Sequence, residues 1–253
     1  MVSYFRAVAR AWVVDRPLGN RDIQKIVLRQ IYFTGSQAFR LVALAAVVLG
    51  ILVIAQSSAQ LQRLGGTEEI GSIVAGLLFR ESAPFITLMV VVSRSVSAMA
   101  SELATMKANG EIDSLRASGV SVLSYLVIPR VVGGALSTVF LAMHFAWVSI
   151  MVGFFSARIF VDLSWSSYFE YLLVSLSAMD VTLFFAKSLV LSAAAFFIAT
   201  YCGLRTTGAA FEVPQATTKA VVWSLMFCLV AQALVSLAYF LHAVEASGFG
   251  GLL

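Results

Sequence analysis

The chain has 253 residues, of which 60% are hydrophobic and only 12% charged. Soluble domains carry about 25% charged residues, so a water-soluble globule is excluded; a lipid-embedded chain needs apolar residues on its outside as well as in its core. The net charge of +4 is too small to indicate a nucleic-acid partner.

Residues 1–30 are cationic and amphipathic, and 1–40 are read as interfacial and elbow helices. Phe5, Val8, Ala9, Trp12 and Val13 recur at helical spacing, with Arg6 and Arg10 on another face. Such a helix lies in the membrane interface. The alternative is a solvated basic leader. The stretch is too long and basic for a cleaved signal peptide. Pro17 and Gly19 break the helix. A second short one follows, with Ile23, Ile26, Val27 and Ile31 opposite Lys25 and Arg29.

Five apolar spans come next, at roughly 20 residues per crossing. They cover 41–62, 70–101, 131–157, 181–204 and 220–244. A polar turn at 63–69 separates the first two, and a mostly polar segment at 102–130 separates the second from the third. Between the third and fourth, Ser167 and Glu170 have capping-box spacing, and Phe169, Leu172, Leu173 and Leu176 follow at i, i+3, i+4, i+7. That piece is too short to span and reads as a surface helix. Cys202 and Cys228 lie in apolar segments without metal-ligand spacing, as small core residues. The reading is an all-α integral membrane protein of one domain, 1–253.

Lys and Arg set the orientation. With a cytoplasmic N-terminus and five spans, the inner side holds Arg6, Arg10, Arg16, Arg21, Lys25, Arg29, Arg40, Lys107, Arg116, Arg130, Arg205 and Lys219. Only Arg63 and Arg158 fall outside. The C-terminus is then periplasmic, and so is the short helix before the fourth span.

Charges inside the spans are the sharpest local feature. Arg80 and Glu81 interrupt the second span, and Arg80 is placed near the middle of a hydrocarbon layer about 30 Å thick. Charges at such depth face a bundle interior or a wet cavity. Pro84 lies four residues on, so the Arg80 carbonyl loses its helical partner and a kink is predicted. Lys187 is the one charge in the fourth span, with Asp180 at its outer end. Two acids and two bases can neutralise one another across helices, as a headgroup or gating site or as a structural network fixing register.

No phosphate-binding G-x-x-x-x-G-K-[ST] loop occurs, so ATP binding by such a loop is excluded. No nucleophile set and no metal cluster can be assembled, so the chain is read as non-catalytic, with no cofactor of its own. In 101–130 (SELATMKANGEIDSLRASGVSVLSYLVIPR), Ile112 and Leu115 share one side of a short helix that starts with Glu111 and Asp113 and contains Arg116. A short exposed helix with an apolar side suits docking to another protein; the alternative is a loop helix packed on its own bundle.

Several motifs, in order, resemble the MlaE (YrbE-type) family of ABC transporter permeases. RQIYFTG (29–35) looks like the family's entry motif, and LLFRESAP (77–84) is similar to its Leu-Leu-Arg-Glu-Leu-Gly-Pro signature. SRSVSAMASELATMKANGEIDSLRASGV (93–120) matches its longest signature. IPR (128–130), KSLV (187–190) and GLRTTGAAFEVPQATTKAVV (203–222) follow, so the resemblance covers roughly 29–235. It implies a homodimeric inner-membrane permease moving phospholipid. The expected partners are a cytoplasmic MlaF-like ATPase that binds the ATP and magnesium, a periplasmic MlaD-like Mce-domain hexamer and, in many systems, an MlaB-like STAS-domain protein. It also implies that Glu111, Ile112, Asp113, Leu115 and Arg116 form the ATPase-coupling helix, and that Arg80, Glu81 and Lys187 line the lipid path. Ser82 and Ala83 depart from the usual Leu-Gly. Gln232 stands where many members have an acid, which leaves the partner of Lys187 open between Asp180 and Glu81 across the dimer. Other readings are a secondary carrier using the buried charges as an ion relay, a permease for another hydrophobic substrate such as a sterol, or a scaffold.

Overall fold

The computed structural model describes residues 1–15, 21–64, 74–161 and 164–246. The break at Pro17 and Gly19, most of the turn at 63–69 and the Trp12 side chain lie outside the described residues. The protein is multi-pass, and its described residues are all-helical. Among them five helices are long and apolar enough to cross a membrane: Arg21–Ser58, Gly76–Ala108, Leu123–Ile159, Ala178–Leu204 and Glu212–His242.

We number the helices α1 (Val2–Asp15), α2 (Arg21–Leu64), α3 (74–108), α4 (Glu111–Ala117), α5 (123–161), α6 (Trp165–Ser175), α7 (Ala178–Leu204) and α8 (Glu212–Ala246). The second short helix expected in the leader is not separate. It continues into the first span as α2, because nothing from Arg21 to Leu64 breaks a helix and Gly35 and Gly50 sit where neighbours press close.

The α2 sequence shows how lipid shapes such a helix. Thr34, Ala38, Val42, Ala46, Ile54 and Ser58 are buried at four-residue steps, while Leu44, Val48, Ile51 and Leu52 are exposed. Both sides are apolar, so size decides which one packs. The buried stripe runs alongside α5 in parallel. A Cβ on Gly50 would lie 2.9 Å from the Ser149 carbonyl, and one on Gly133 would lie 2.8 Å from the Val27 carbonyl. Without a hydrophobic drive between helices in lipid, this close backbone approach supplies the dispersion contact that holds the pair. α8 repeats the device: Ala216, Ala220, Ser224, Cys228 and Gln232 form one buried stripe on an otherwise exposed apolar helix.

α3 is the central helix, buried along much of its length by α2, α5, α7 and α8. Its bonding register changes three times: π over Val74–Ser82, α over Ala83–Val91, π over Val92–Val96 and α over Ser97–Ala108. Pro84 sits in the first turn of the second segment. It has no N–H for the Arg80 carbonyl, and the chain takes this up as a wider turn ahead of the proline.

α6 packs on the C-terminal end of α5 and the N-terminal end of α3. Tyr168 and Leu172 are its buried residues, and the Tyr168 hydroxyl donates to the Ile150 carbonyl at 3.1 Å. Its N-cap is Ser164, whose side chain accepts from the Ser167 amide, so the expected box at Ser167 and Glu170 is displaced by one turn. At the opposite end α1 docks on α7, with Tyr4 against Phe197 and Tyr201. Burial pushes the Tyr4 phenol up to about 12.

α4 corrects the expected docking chemistry. Ile112 is fully buried in the chain's own core and Leu115 packs against it, while Glu111, Asp113 and Arg116 are exposed. The apolar side holds α4 to its own bundle, because a turn of only Asn109 and Gly110 (φ 75°) folds it back under α3. What α4 presents outward is polar.

Candidate functional site

The buried charges converge from three helices. α3 contributes Arg80 and Glu81, α7 contributes Asp180 and Lys187, and α8 contributes Gln232, Ser236 and Tyr239. They form two adjacent clusters.

The first lies at the α6 end of the bundle. Arg80 Nε is 2.8 Å from Asp180 Oδ1, an ion pair whose angles fall outside hydrogen-bond geometry. The guanidinium also rests 4.7 Å from the ring centroid of Tyr239, whose hydroxyl bonds to Asp180. Asp180 is held by a local device that sequence spacing could have shown. Ser177 is the N-cap of α7, and Asp180 is the third residue of that helix. The Asp180 carboxylate accepts from the Ser177 amide at 2.9 Å, and the Ser177 hydroxyl accepts from the Asp180 amide at 3.2 Å. This capping box fixes Asp180 where its charge also suits the helix N-terminus. Since Arg80 pairs with the first turn of α7, it sits near the end of the bundle. The expected mid-membrane depth is therefore corrected.

The second cluster is deeper. Lys187 lies two turns further along α7, about 10 Å at 1.5 Å per residue. Its Nζ donates to Glu81 Oε1 at 2.9 Å and to Ser236 Oγ at 3.0 Å. The other Glu81 oxygen accepts from Gln232 Nε2 at 3.0 Å and from Ser236 Oγ at 2.6 Å. The partner of Lys187 is thus Glu81 of the same chain, and Gln232 serves the carboxylate. An acid at 232 would repel Glu81, whereas the amide donates to it.

Two bases and two acids leave these clusters with no net charge, and each ion touches an opposite one. That is the condition under which ions persist at such depth, because an unpaired buried charge is far too costly. Exposure is uneven. The Lys187 and Asp180 side chains are each 1% exposed, while Arg80 and Glu81 are 24% and 34% exposed. α7 therefore supplies the buried counter-charges, and α3 presents one cation and one anion side by side on an accessible surface. Such a pair can receive an ionic headgroup. It offers no activated nucleophile.

Ser236 and Tyr239 were missed. With Gln232 they fall at i, i+4, i+7, a polar stripe on an otherwise apolar helix. Pro84 and the charges were found, and for Lys187 the sequence left Asp180 and Glu81 across the dimer as candidates without deciding between them. Glu111, Ile112, Asp113, Leu115 and Arg116, the residues expected to form a coupling helix, lie apart from this site, at the far end of α3. There Arg130 Nη2 donates to Glu102 at 2.7 Å, tying α5 to α3.

Comparison with known proteins agrees with this architecture. The MlaE permease family matches residues 27–238. The chain belongs to the MlaE permease family. It is 31% identical over 238 residues to the Protein TRIGALACTOSYLDIACYLGLYCEROL 1, chloroplastic, of Arabidopsis thaliana, covering 92% of this chain and 67% of that one. A probable ABC transporter permease protein of Rickettsia prowazekii is 26% identical, covering 94% and 90%. The intermembrane phospholipid transport system permease protein MlaE of Haemophilus influenzae is 25% identical, covering 90% of each chain. As an MlaE permease, the chain is a membrane subunit, and its five spanning helices are the part that such a subunit contributes.

Proposed function

We propose that this MlaE-family permease moves phospholipid between the inner membrane and a periplasmic Mce-domain partner, powered by a separate cytoplasmic ATPase that holds ATP and magnesium. The carrying observation is the paired presentation of Arg80 and Glu81 beside apolar helix walls. A phospholipid has an ionic end and a greasy end, and this surface suits both. The names of the Haemophilus and Arabidopsis relatives both point to lipids.

The proposed assembly is a homodimer with an MlaF-like ATPase under each α4, an MlaD-like hexamer on the periplasmic side and an MlaB-like STAS protein on the ATPase. α4 meets the ATPase through Glu111, Asp113 and Arg116. The orientation follows the basic residues: N-terminus and α4 inside, α6 and the C-terminus outside.

The test is ATP-dependent transfer of fluorescent phospholipid from vesicles holding the whole complex. Arg80→Ala and Lys187→Ala variants that assemble normally should lose most transfer. Wild-type rates in both would leave the charges a structural role only.

A further inference from the structure

A cavity lies at the opposite end of the bundle from the charge clusters. It has a volume of about 470 Å³ and opens between the C-terminal end of α7 and the N-terminal end of α8. Its walls include Tyr201, Cys202 and Arg205 from α7, and Ala216, Lys219 and Trp223 from α8.

The two walls carry the same pattern. On α7, Tyr201 and Arg205 are four residues apart, and the guanidinium lies 5.5 Å from the ring centroid and bonds to the phenol oxygen. On α8, Lys219 and Trp223 are also four residues apart. Residues at this spacing stack on one helix face. The two helices run in opposite directions, with Ser224 opposite Ala195 and Cys228 opposite Leu191, so Lys219 lies level with Tyr201, Arg205 lies at the mouth beyond them and Trp223 lies about one turn deeper.

The level of this ladder matches a membrane boundary. From Asp180 to Tyr201, α7 rises about 30 Å, the thickness of a hydrocarbon layer. From Tyr239 back to Lys219, α8 also rises about 30 Å. The rings therefore stand where aromatic belts stand, and the cations reach the headgroup layer. Trp223 is 60% exposed, and the lipid-facing residues Met226 and Phe227 continue below it. The acid in the cavity is already engaged: Glu212 accepts from the Thr207 amide at 2.6 Å and from its hydroxyl at 2.8 Å. Among the described residues, no acid forms an ion pair with Arg205 or Lys219.

We propose that this cavity binds an anionic phospholipid, with its phosphate between Arg205 and Lys219 and its acyl chains along Trp223 and Phe227. Basic clefts between spanning helices at a membrane surface recognise anionic headgroups in this way. Along α7, Arg205 is about 27 Å from Lys187 and about 37 Å from Asp180, the partner of Arg80, so one phosphate cannot occupy both sites. Placing it in the inner leaflet rests on the orientation argued above. Binding itself rests on neither orientation nor transport.

The test uses the full chain in phosphatidylcholine nanodiscs, titrated with phosphatidylglycerol and read by native mass spectrometry of the retained lipid. Wild type should retain phosphatidylglycerol over phosphatidylcholine by about tenfold, given two headgroup-level cations. Arg205→Gln with Lys219→Gln should abolish that preference while its melting temperature in phosphatidylcholine stays at the wild-type value. If the double variant folds poorly, Lys219→Gln alone, at an exposed position, should lose part of the preference. Arg80→Gln with Lys187→Gln should retain it. Equal retention of the two lipids by wild type would overturn the proposal. So would an unchanged preference in the Arg205/Lys219 variant, or its loss only in the Arg80/Lys187 variant. Complete displacement by millimolar inorganic phosphate would show a free-anion site and overturn the lipid assignment.

Discussion

Replacing the two members of the deeper ion pair one at a time should cost unequal amounts. Lys187→Met leaves Glu81 without its cation, but Gln232 Nε2 and Ser236 Oγ still donate to it and a third of its side chain is open. Glu81→Gln leaves a lysine 1% exposed with no counter-charge, only the neutral amide oxygen and the Ser236 hydroxyl beside it. Breaking a buried pair by removing one partner costs about 3–5 kcal/mol. We therefore expect about 2–3 kcal/mol for Lys187→Met, reduced by the remaining donors, and about 3–5 kcal/mol for Glu81→Gln. The double variant removes both charges and should lose only about 1–2 kcal/mol, so the coupling is of the order of several kcal/mol. The measurement is unfolding of the purified protein in one detergent across the four-member cycle. Single losses that add in the double variant would show that the two residues are not partners. A larger loss for Lys187→Met than for Glu81→Gln would refute the claim that Glu81 is the better-supported ion.

Three other outcomes follow from the geometry. Gly134→Ala places a methyl 2.4 Å from the Phe196 ring and should cost about 1–3 kcal/mol in the same unfolding assay, with Phe196→Leu recovering part of it. Ile112→Asp should destabilise the membrane domain itself, while Glu111→Lys with Asp113→Lys should leave its melting temperature unchanged and abolish stimulation of a bound ATPase. Equal effects on melting would show that α4 is not divided into a packed and a presented side. Pro84→Ala restores an N–H for the Arg80 carbonyl and should leave stability unchanged or raised while slowing lipid transfer. Unaltered transfer would show that the π register around Arg80 and Glu81 is dispensable.

The number of spans was legible because lipid imposes it: an uncharged stretch of sufficient length has no other stable place. The charges Arg80, Glu81, Asp180 and Lys187 stood out for the same reason. Which face of each helix packs was not legible. On α2 and α8 core and lipid are both apolar, so hydrophobic periodicity carries no direction, and only the small residues at four-residue steps mark the buried side. The partner of Lys187 was hidden because α3, α7 and α8 meet through tertiary packing that local sequence does not encode. The polar stripe Gln232, Ser236 and Tyr239 was present in the spacing and identifies the inward face of α8. The depth of Arg80 was misplaced because its span was counted from residue 70, while the partner that fixes its level, Asp180, belongs to the first turn of another helix. Ile112 was read as part of a docking face because an amphipathic helix does not say whether its apolar side meets its own chain or another.

These ties constrain how a push on α4 can reach the charge clusters. Ile112 anchors α4 in the core beneath α3, so α4 cannot move as a free loop. At the same level Lys107 Nζ donates to the Leu204 carbonyl at 2.8 Å, and Arg130 binds Glu102, joining the C-terminal end of α3 to both α7 and α5. A Cβ on Gly203 would lie 2.9 Å from the Ala100 carbonyl, so α3 and α7 also touch backbone to backbone there. Displacing α4 therefore moves α3, α5 and α7 together at that end. α8 is held differently, by one narrow stripe of small residues and by polar contacts at its far end. Lys187 and Glu81 move with α7 and α3, whereas Ser236, Gln232 and Tyr239 move with α8. Relative motion of α8 would strip two donors from Glu81 and the aromatic face from Arg80 while both ion pairs stay closed. Glu81 and Arg80 would then have fewer contacts within the chain, and under the proposed function an ionic headgroup would take the places left by Ser236, Gln232 and Tyr239.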